Sequence, residues 1–486
     1  MTEPTDNGEE VGRRHGGEAA LPSANLFHIK VKKCHCDPDE ARDREKQSLK
    51  IYTLLLTIAI VFCNYLIGRL YCDEPKLKEM VKNNQLISEL HSELKNVLEF
   101  WSTHTVDEEF GGFAGEVDAY GKMVPAAEKG LVLNARILWS FSAAYNFIKD
   151  EKYLKLAHRA YHYLTNYFWD KENGGLVWAV DHIGNISNNR KQIYGQGFGI
   201  YAFSEYYKAT GKQESLDHAV KLFHLIEQHS YDSENSGYLE ALSANWQPLD
   251  DMRLSAKDTN SPKSMNTHLH ILEPYSNLYR VWKSDKLRER MKSLVRIFLD
   301  RILNNETGHF HLFFDMDWTV QSNMVSYGHD IEGAWLINEA AELAGDAELL
   351  KEARKKTLKM VQSVLKEGVA DDNSVWYEYD LDTGELHSDR HWWVQGEALV
   401  GLLDAYGHSG DEKYFEMFLK IWGYIKTHVI DHEQGGWFGI IEDSGNPRPN
   451  EVKAGFWKCP YHNTRALIES IERIEKLTEI DSVSSQ

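Results

Sequence analysis

The sequence is poor in cysteine. Five of its 486 residues are Cys, and four of them (Cys34, Cys36, Cys63 and Cys72) precede the region that carries the regular helical pattern. So few cysteines exclude a fold that is built around disulfide bonds. Cys34 and Cys36 flank a histidine, but two thiols and one imidazole without a second cluster make a weak metal site, and no metal is predicted.

Basic residues are scarce as well. Lys and Arg number 54 against 74 Asp and Glu, which gives a formal net charge of -20 at pH 7. Because proteins that bind nucleic acid need a basic surface, this charge argues against that class of partner. A hydrophobic content of 42% is enough to bury a sizeable core, so the chain is not disordered as a whole.

Long uncharged runs are absent, with one exception at residues 51–68. A helix that spans a membrane needs about 20 apolar residues. The run therefore predicts a single transmembrane helix at residues 50–71, preceded by a disordered polar tail at residues 1–49, with a buried helix as the alternative. More basic residues lie just before the run than just after it, so the positive-inside rule predicts a cytoplasmic tail and a large domain on the opposite side of the membrane.

What the chain has in quantity is a repeated pattern. Segments rich in small and aromatic residues recur every ~60 to 75 residues, and several are followed by a helix-breaking link and an amphipathic run. One such run places Leu216, Ala219, Phe223 and Ile226 at helical spacing. Two helices fit in each unit, and residues 76–480 hold about six units. We therefore predict an all-α (α/α)6 barrel of six helical hairpins, with an open solenoid of helix pairs as the alternative.

Reactive side chains concentrate near the ends of the predicted inner helices. Three segments each place polar and aromatic side chains on one helical face. These sets are Asn266 with His270 and Glu273, His329 with Glu332, and Trp393 with Glu397, while Trp335 lies along the edge of the second face. In a fourth segment, Pro460 suits the first position of a helix and would place His462 in the first turn, where the positive helix end keeps an imidazole neutral. His268 lies two residues from His270 and is predicted to point elsewhere.

Histidines that converge from different repeats suit proton transfer. Histidine is the natural acid and base near neutral pH, and one neutral and one protonated imidazole could move a proton on and off a carbon atom. Any single histidine of this set could instead be a hydrogen-bonded core residue, and each tryptophan could be core rather than a platform for a sugar ring. Four motifs at equivalent hairpin ends favour a common site.

The longer motifs around these residues are similar to a known family. The segments SMNTHLHILEPYSNLYRVW, SYGHDIEGAWLINEAAE, HWWVQGEALVGLLDAY and GFWKCPYHNTRA resemble the cellobiose 2-epimerases of the N-acylglucosamine 2-epimerase family, as do NARILWSFSAAY and YGQGFGIYAFSEYY. The resemblance runs from residue 85 to 475 and does not include the tail or the predicted span. It implies an (α/α)6 barrel, no cofactor, and reversible epimerisation at C2 of the reducing-end glucose of β-1,4-linked disaccharides through an enediolate (cellobiose to glucosyl-mannose, lactose to epilactose).

The same resemblance implies a role for each candidate residue. His329 and His462 are the acid and base at C2, and His270 assists ring opening or binds the enediolate oxygens. Arg136 supplies a positive charge for the developing oxyanion. The substrate-binding residues that the resemblance implies are Tyr194, Asn266, Glu273, Glu332, Trp335, Trp393, Glu397 and Trp457.

Three residues depart from the family pattern. Pro274 is expected to tilt the helix that carries His270, because proline clashes with the carbonyl four residues earlier. Gly333 and Gly396 are expected to loosen two inner helices.

Other functions stay open. An N-acylglucosamine or mannose 2-epimerase would use the same barrel. A glycoside hydrolase of the same fold would need two facing carboxylates, for which Glu332 and Glu397 are available. A non-catalytic relative that binds sugar or protein is the third possibility.

Overall fold

The computed structural model describes residues 84–484, with side chains to residue 478. The helices of this part are α1 (Gln85–His104), α2 (Leu131–Ile148), α3 (Glu151–Tyr163), α4 (Ile193–Thr210), α5 (Gln213–His229), α6 (Met265–Val281), α7 (Asp285–Ile297), α8 (Tyr327–Ala344), α9 (Ala347–Glu367), α10 (Trp392–Ser409), α11 (Glu412–Tyr424) and α12 (Tyr461–Ser484). Five-residue π-helical turns extend α3, α7 and α11, and they comprise Leu164–Phe168, Phe298–Ile302 and Ile425–Val429.

The even-numbered helices form an inner ring because most of their surface is covered. In α4, for example, every residue from 193 to 206 is buried, which requires a helix that other elements surround. The odd-numbered helices are amphipathic. Helix α7 buries Leu287, Met291 and Leu294 at helical spacing, and its remaining faces carry charged residues. These helices therefore cover the inner ring from outside.

The ring of inner helices is closed. Successive inner helices pack against one another, from α2 through α4, α6, α8 and α10 to α12. Helix α12 also packs against α2 and against the outer helix α1, so the first described helix completes the last hairpin. The predicted (α/α)6 barrel is confirmed, and the open solenoid is excluded.

Short strands lie in the links between the hairpins. They are β1 (Lys129–Gly130), β2 (Ala179–Val180), β3 (Ile186–Asn188), β4 (Lys191–Gln192), β5 (Ala241–Leu242), β6 (Lys263–Ser264), β7 (Phe313–Phe314), β8 (Met324–Ser326), β9 (Glu378–Asp380), β10 (Leu386–His387), β11 (Arg390–His391) and β12 (Ile440–Ile441). Their pairing is antiparallel, in the orders β1-β2-β3, β10-β9-β8, β4-β5, β6-β7 and β11-β12. Lys191 of β4 lies opposite Leu242 of β5. Neighbouring links therefore brace one another at the N-terminal ends of the inner helices.

A buried lysine–aspartate pair recurs in four of these links, and the sequence analysis did not predict it. The distances from Nζ to Oδ2 are 2.6 Å for Lys129–Asp107, 2.7 Å for Lys191–Asp170, 2.8 Å for Lys263–Asp232 and 2.5 Å for Lys453–Asp431. Each lysine precedes an inner helix, and its partner begins the turn after an outer helix, so the pair ties one hairpin to the next. The link into α8 differs, because Val325 and Asn304 stand at the corresponding positions.

Helix α6 is bent where the sequence predicted it. Pro274 has no N–H to bond the carbonyl of His270, and His270 adopts non-helical angles of φ -88° and ψ 16°. The carbonyl oxygen of His270 instead faces Gly197 of α4, where an added Cβ would lie 2.2 Å from that oxygen. The two helices approach this closely only because residue 197 has no side chain.

The two glycines that depart from the family pattern differ in their surroundings. A Cβ on Gly333 would lie 2.3 Å from the ring of Phe310, whereas a Cβ on Gly396 would meet no atom nearer than 3.5 Å. Gly333 therefore permits close packing, contrary to the expectation that it loosens α8. Gly396 leaves ordinary room for a methyl group.

The predicted membrane localisation is corrected. Among residues 84–484, no helix combines the length and the apolar character that crossing a membrane requires. Even the inner helices, which are covered on most sides, carry buried polar side chains such as Asn134 and Arg136 of α2. The predicted tail at residues 1–49 and the predicted span at residues 50–71 lie outside the described residues, and an uncharged run alone is insufficient evidence for a single-pass membrane protein.

We expect Gly197→Ala to lower the free energy of unfolding. The added methyl group meets a backbone oxygen that cannot rotate away, and this strain costs about 1 to 3 kcal/mol, more than the gain of roughly 1 kcal/mol that alanine brings to a helix interior. Gly396→Ala is the matched control, and we expect it to be neutral or stabilising. Chemical denaturation measures both variants. Equal stability of the two would contradict the close approach of α4 and α6.

Candidate active site

The predicted site residues meet at one end of the barrel. Every inner helix runs in the same direction, because an outer helix separates each from the next. Their N-terminal and central turns carry Arg136 on α2, Tyr194 on α4, Asn266, His270 and Glu273 on α6, His329, Glu332 and Trp335 on α8, Trp393 and Glu397 on α10, and His462 on α12. Trp457 lies in the link that enters α12. The structure therefore brings together side chains from all six repeats.

His462 lies in the first turn of α12, as predicted. Its Nδ1 is 2.7 Å from Oε1 of Glu397 and 3.9 Å from Oε1 of Glu332. Nδ1 therefore donates to Glu397, which leaves Nε2 of the neutral ring as an acceptor. Burial is the largest cause that lowers the pKa of His462 well below its usual value, and the charges of Arg136 and Arg465 lower it further.

His329 lies on α8 and is partly exposed at the mouth. A hydrogen bond of 2.7 Å joins its Nδ1 to Oγ of Ser326, which the sequence analysis did not single out. The ring of His329 lies 4.8 Å from the ring of Trp393, and the ring of His462 lies 5.5 Å from the same indole. Burial of the imidazole lowers the pKa of His329 to about 3, and the charge of His270 lowers it further. Near neutral pH both of these imidazoles are neutral.

His270, at the bend of α6, and Arg136 of α2 both contact Tyr194 and Phe198. Nδ1 of His270 donates to Oε2 of Glu273 at 2.9 Å, and its ring packs 4.9 Å from the ring of Tyr194. Nη2 of Arg136 donates to the hydroxyl of Tyr194 at 2.7 Å, and the guanidinium lies 4.2 Å from the ring of Phe198. Among the described residues, Nε of Arg136 has no partner although it is buried. A positive charge with an unused donor therefore lies next to a histidine.

Arg465 joins three of the predicted carboxylates and was not predicted. Its side chain is 1% exposed. Its guanidinium contacts Glu273 and donates to Oε1 of Glu332 at 2.5 Å and to Oε1 of Glu397 at 2.6 Å. Arg465 follows His462 by three residues on α12, so the helical-face argument that grouped other site residues would also have found it.

The three carboxylates differ in how readily they hold a proton. Burial is the largest influence on each and favours the protonated form. For Glu273 the charge of Arg465 and the bond from His270 outweigh burial, and the pKa falls to about 2. For Glu332 burial and the adjacent Glu397 raise the pKa to about 7. Burial also raises the pKa of Glu397. Glu273 is thus ionised near neutral pH, whereas Glu332 titrates there.

Glu332, Glu397 and His462 also form a group with the ligand types of a metal site. Their ligand atoms all lie within 4.8 Å of one another, and carboxylate and imidazole are common metal ligands. The guanidinium of Arg465 already donates to both carboxylates. The chain itself therefore supplies the cation that balances this group, and we assign no metal to it.

The predicted tryptophans lie at different depths. Trp457 is 37% exposed and Trp393 is 9% exposed, so each presents part of its ring toward the mouth. Trp335 is 1% exposed, its Nε1 donates to Oε2 of Glu397 at 3.1 Å, and the guanidinium of Arg465 lies 4.8 Å from its ring centroid. Trp335 therefore offers no open face to a ligand, contrary to its predicted role, and supports the carboxylates instead.

Two polar residues of α6 have different surroundings. Asn266 is partly exposed, and its buried Oδ1 has no partner among the described residues. His268 faces away from the mouth, as predicted. It accepts a hydrogen bond from the N–H of Tyr238 at 2.9 Å, and its Nδ1 lies 2.6 Å from the carbonyl oxygen of Ser264. His268 holds a link in place and is not part of the site.

Six helical hairpins form a closed barrel, and neutral histidines and tryptophans lie at one mouth of it, an arrangement of side chains that suits an enzyme with acid–base chemistry. A model of the N-acylglucosamine 2-epimerase family matches residues 111–466. The chain belongs to this family of carbohydrate epimerases, and the resemblance seen in its motifs is confirmed.

The similar proteins differ in how closely they match. A cellobiose 2-epimerase of Bacteroides fragilis is 45% identical over 385 residues, which cover 79% of this chain and 98% of that protein. The solved structure of cellobiose 2-epimerase from Bacillus thermoamylovorans B4167 has a TM-score of 0.77 and 39% sequence identity, and the match covers 80% of this chain and 100% of that chain. A D-mannose isomerase of Marinomonas mediterranea is 23% identical over 79% of this chain and 97% of its own.

We expect acid to destabilise the protein in part through His329. The pKa of this residue is about 3 in the folded protein and about 6.5 in an unfolded chain. Between these values unfolding takes up a proton, so the stabilisation is present above pH ~6.5 and is lost as the pH falls. In denaturation at several pH values, His329→Gln should show a smaller loss of stability toward acid than the wild type. His387→Gln, at an exposed residue of β10, should match the wild type. An unchanged slope in His329→Gln would contradict the lowered pKa.

Proposed function

We propose that the chain is a cellobiose 2-epimerase, which interconverts cellobiose and glucosyl-mannose, and lactose and epilactose, by inverting C2 of the reducing-end sugar. The observation that carries this proposal is the pair of neutral histidines, His329 and His462, whose rings lie 4.8 and 5.5 Å from the ring of Trp393. Membership of a carbohydrate epimerase family supports the same class of reaction.

In the proposed reaction, one imidazole removes the proton from C2 of the open-chain sugar and becomes an imidazolium. The electron pair of the broken C–H bond forms the C1–C2 double bond of an enediolate, and negative charge moves to O1. The other imidazole takes up a proton from solvent and delivers it to the opposite face of C2, and the aldehyde forms again. The first imidazolium releases its proton to solvent, so both rings end neutral. The lowered pKa values of His329 and His462 support this scheme, because each ring must be neutral to accept the C2 proton in one direction.

Arg136 and His270 act on the sugar oxygens in this proposal. Arg136 would stabilise the enediolate charge, since it carries a fixed positive charge and an Nε without a partner among the described residues. His270 would assist ring opening or bind the enediolate oxygens, and its bond to Glu273 fixes which ring nitrogen faces the substrate.

We propose that Trp393 and Trp457 are platforms for the two sugar rings, and that Tyr194 and Asn266 bind hydroxyl groups. Trp457 is the more exposed of the two indoles and lies outside the helices, so it suits a second sugar beyond the reacting one. This supports a disaccharide over N-acylglucosamine or mannose. The greater identity to cellobiose 2-epimerases than to the mannose isomerase favours the same choice.

A glycoside hydrolase on the same barrel is disfavoured. Such an enzyme needs two carboxyl groups roughly 5 to 10 Å apart with the glycosidic bond between them. Glu332 and Glu397 are both fully buried, and both bind the guanidinium of Arg465. A glycosidic bond therefore has no space between them. We propose instead that Glu397 orients His462 and that Glu273 orients His270.

Proton NMR of cellobiose in D2O with the purified full chain tests the proposal. We expect a new mannose-type reducing end together with deuterium at C2, because the transferred proton exchanges with solvent on the imidazoles. His329→Asn and His462→Asn should each lower the rate by roughly 10²-fold or more, the usual contribution of a general acid or base.

His311→Asn is the control, since the ring of this histidine lies 6.4 Å from the ring of Phe314 in β7, which is not a candidate site residue. The rate of this variant should stay near that of the wild type. Free glucose as the product would establish the hydrolase instead. If N-acetylglucosamine or mannose is epimerised and cellobiose and lactose are not, the chain is an N-acylglucosamine or mannose 2-epimerase instead. If none of these sugars is converted, the proposal that the chain is an enzyme is refuted.

A further inference from the structure

Arg465 is the point at which four inner helices meet. It lies on α12 and contacts one carboxylate from each of α6, α8 and α10. These carboxylates belong to Glu273, Glu332 and Glu397, and their side chains are at most 1% exposed. A buried charge that is shared in this way fixes the positions of all its partners, because none of them has water as an alternative partner.

Two of the three carboxylates also hold histidines. Oε1 of Glu397 accepts from both Arg465, at 2.6 Å, and Nδ1 of His462, at 2.7 Å. Glu273 contacts Arg465 through Oε1 and accepts from Nδ1 of His270 through Oε2, at 2.9 Å. One guanidinium therefore sets the orientation of two carboxylates and, through them, the direction in which two imidazole rings present Nε2.

We propose that Arg465 is a positioning residue for the proton transfer, which aims His462 and His270 through Glu397 and Glu273 and keeps His462 ready to accept the C2 proton. This inference rests on the proposed epimerase reaction. It adds a residue that does not touch the sugar, yet decides the geometry and the protonation of groups that do.

The charges around His462 determine the direction in which the pH dependence of activity should move when Arg465 is replaced. The charged or titratable groups that face it are Arg136 of α2, His270 of α6, His329 and Glu332 of α8, Glu397 of α10 and Arg465 of α12. Loss of the Arg465 charge leaves the carboxylates with less compensation, which favours the imidazolium form of His462. A base that is already protonated cannot accept the C2 proton, so the rise of activity with pH moves to higher pH.

The test compares the pH dependence of kcat/KM for cellobiose among four full-length proteins. Arg465→Met removes the charge, and we expect the acid limb of its profile to lie about one pH unit or more above that of the wild type. Arg465→Lys keeps the charge, so its acid limb should stay in place. Its kcat should fall at least tenfold, because an ammonium group cannot reproduce the planar fork that bridges the three carboxylates.

Arg473→Met is the matched control. This arginine lies on the same helix and pairs with Asp404 at 3.1 Å and Glu469 at 3.3 Å, neither of which touches a histidine of the site. Its loss should lower stability without moving the acid limb. A uniform loss of activity in Arg465→Met, with the acid limb unmoved, would assign Arg465 a merely structural role and overturn the proposal.

Two further readouts keep the proposal testable. If Arg465→Met does not fold, the Arg465→Lys variant tests the positioning role by itself. A folded lysine variant with the kcat of the wild type would refute that role. If the wild type does not epimerise cellobiose, the proposed function fails by itself, and NMR titration of 13C-labelled histidines still compares His462 in the wild type and in Arg465→Met. A pKa of His462 that does not rise in the variant refutes the role of Arg465 independently of any activity.

Discussion

The arrangement of the site depends on one buried guanidinium that contacts three carboxylates. Burying Glu273, Glu332 and Glu397 without a cation would cost several kcal/mol for each ionised group, so α6, α8 and α10 can converge at this depth only where α12 inserts Arg465 among them. Of these acids, Glu273 is hydrogen-bonded to His270 and Glu397 to His462. In the proposed reaction, the same contact that stabilises the centre of the barrel also orients His270 and His462.

This dependence explains why the acids of the site differ from those of a hydrolase on a similar barrel. A hydrolase exposes its carboxyl groups to a glycosidic bond. Here Glu397 has one oxygen on Arg465 and His462 and the other on the indole N–H of Trp335, so both oxygens are used within the protein. In the proposed reaction the acids act through the histidines, and the groups left to contact a sugar are imidazole, guanidinium and aromatic side chains.

Much of the barrel and part of the site could be predicted from the sequence, because both rest on local periodicity. Helical spacing placed His270 with Glu273, Pro460 put His462 in a first turn, and Pro274 predicted the bend of α6. Helical spacing groups Arg465 with His462, but its contacts with the three carboxylates could not be predicted, since these partners lie up to 192 residues away. The depth of Trp335 also escaped prediction, because its spacing on α8 fits either a ligand-facing or a supporting position.

The repeat that carries His329 shows how a symmetric scaffold accommodates an asymmetric site. Four other links use a lysine–aspartate pair, whereas here the acid is Asp330, which lies on α8 itself. Asp330 accepts the N–H of Phe310 at 2.8 Å and pairs with Nδ1 of His309 at 2.7 Å. Because Asp330 is fully buried and anchored to the preceding link, it fixes the rotation of the first turn of α8 about the helix axis. The residue immediately before it is His329, so the same anchor sets the direction of His329, whose Nδ1 bonds to Ser326 and whose ring packs against Trp393.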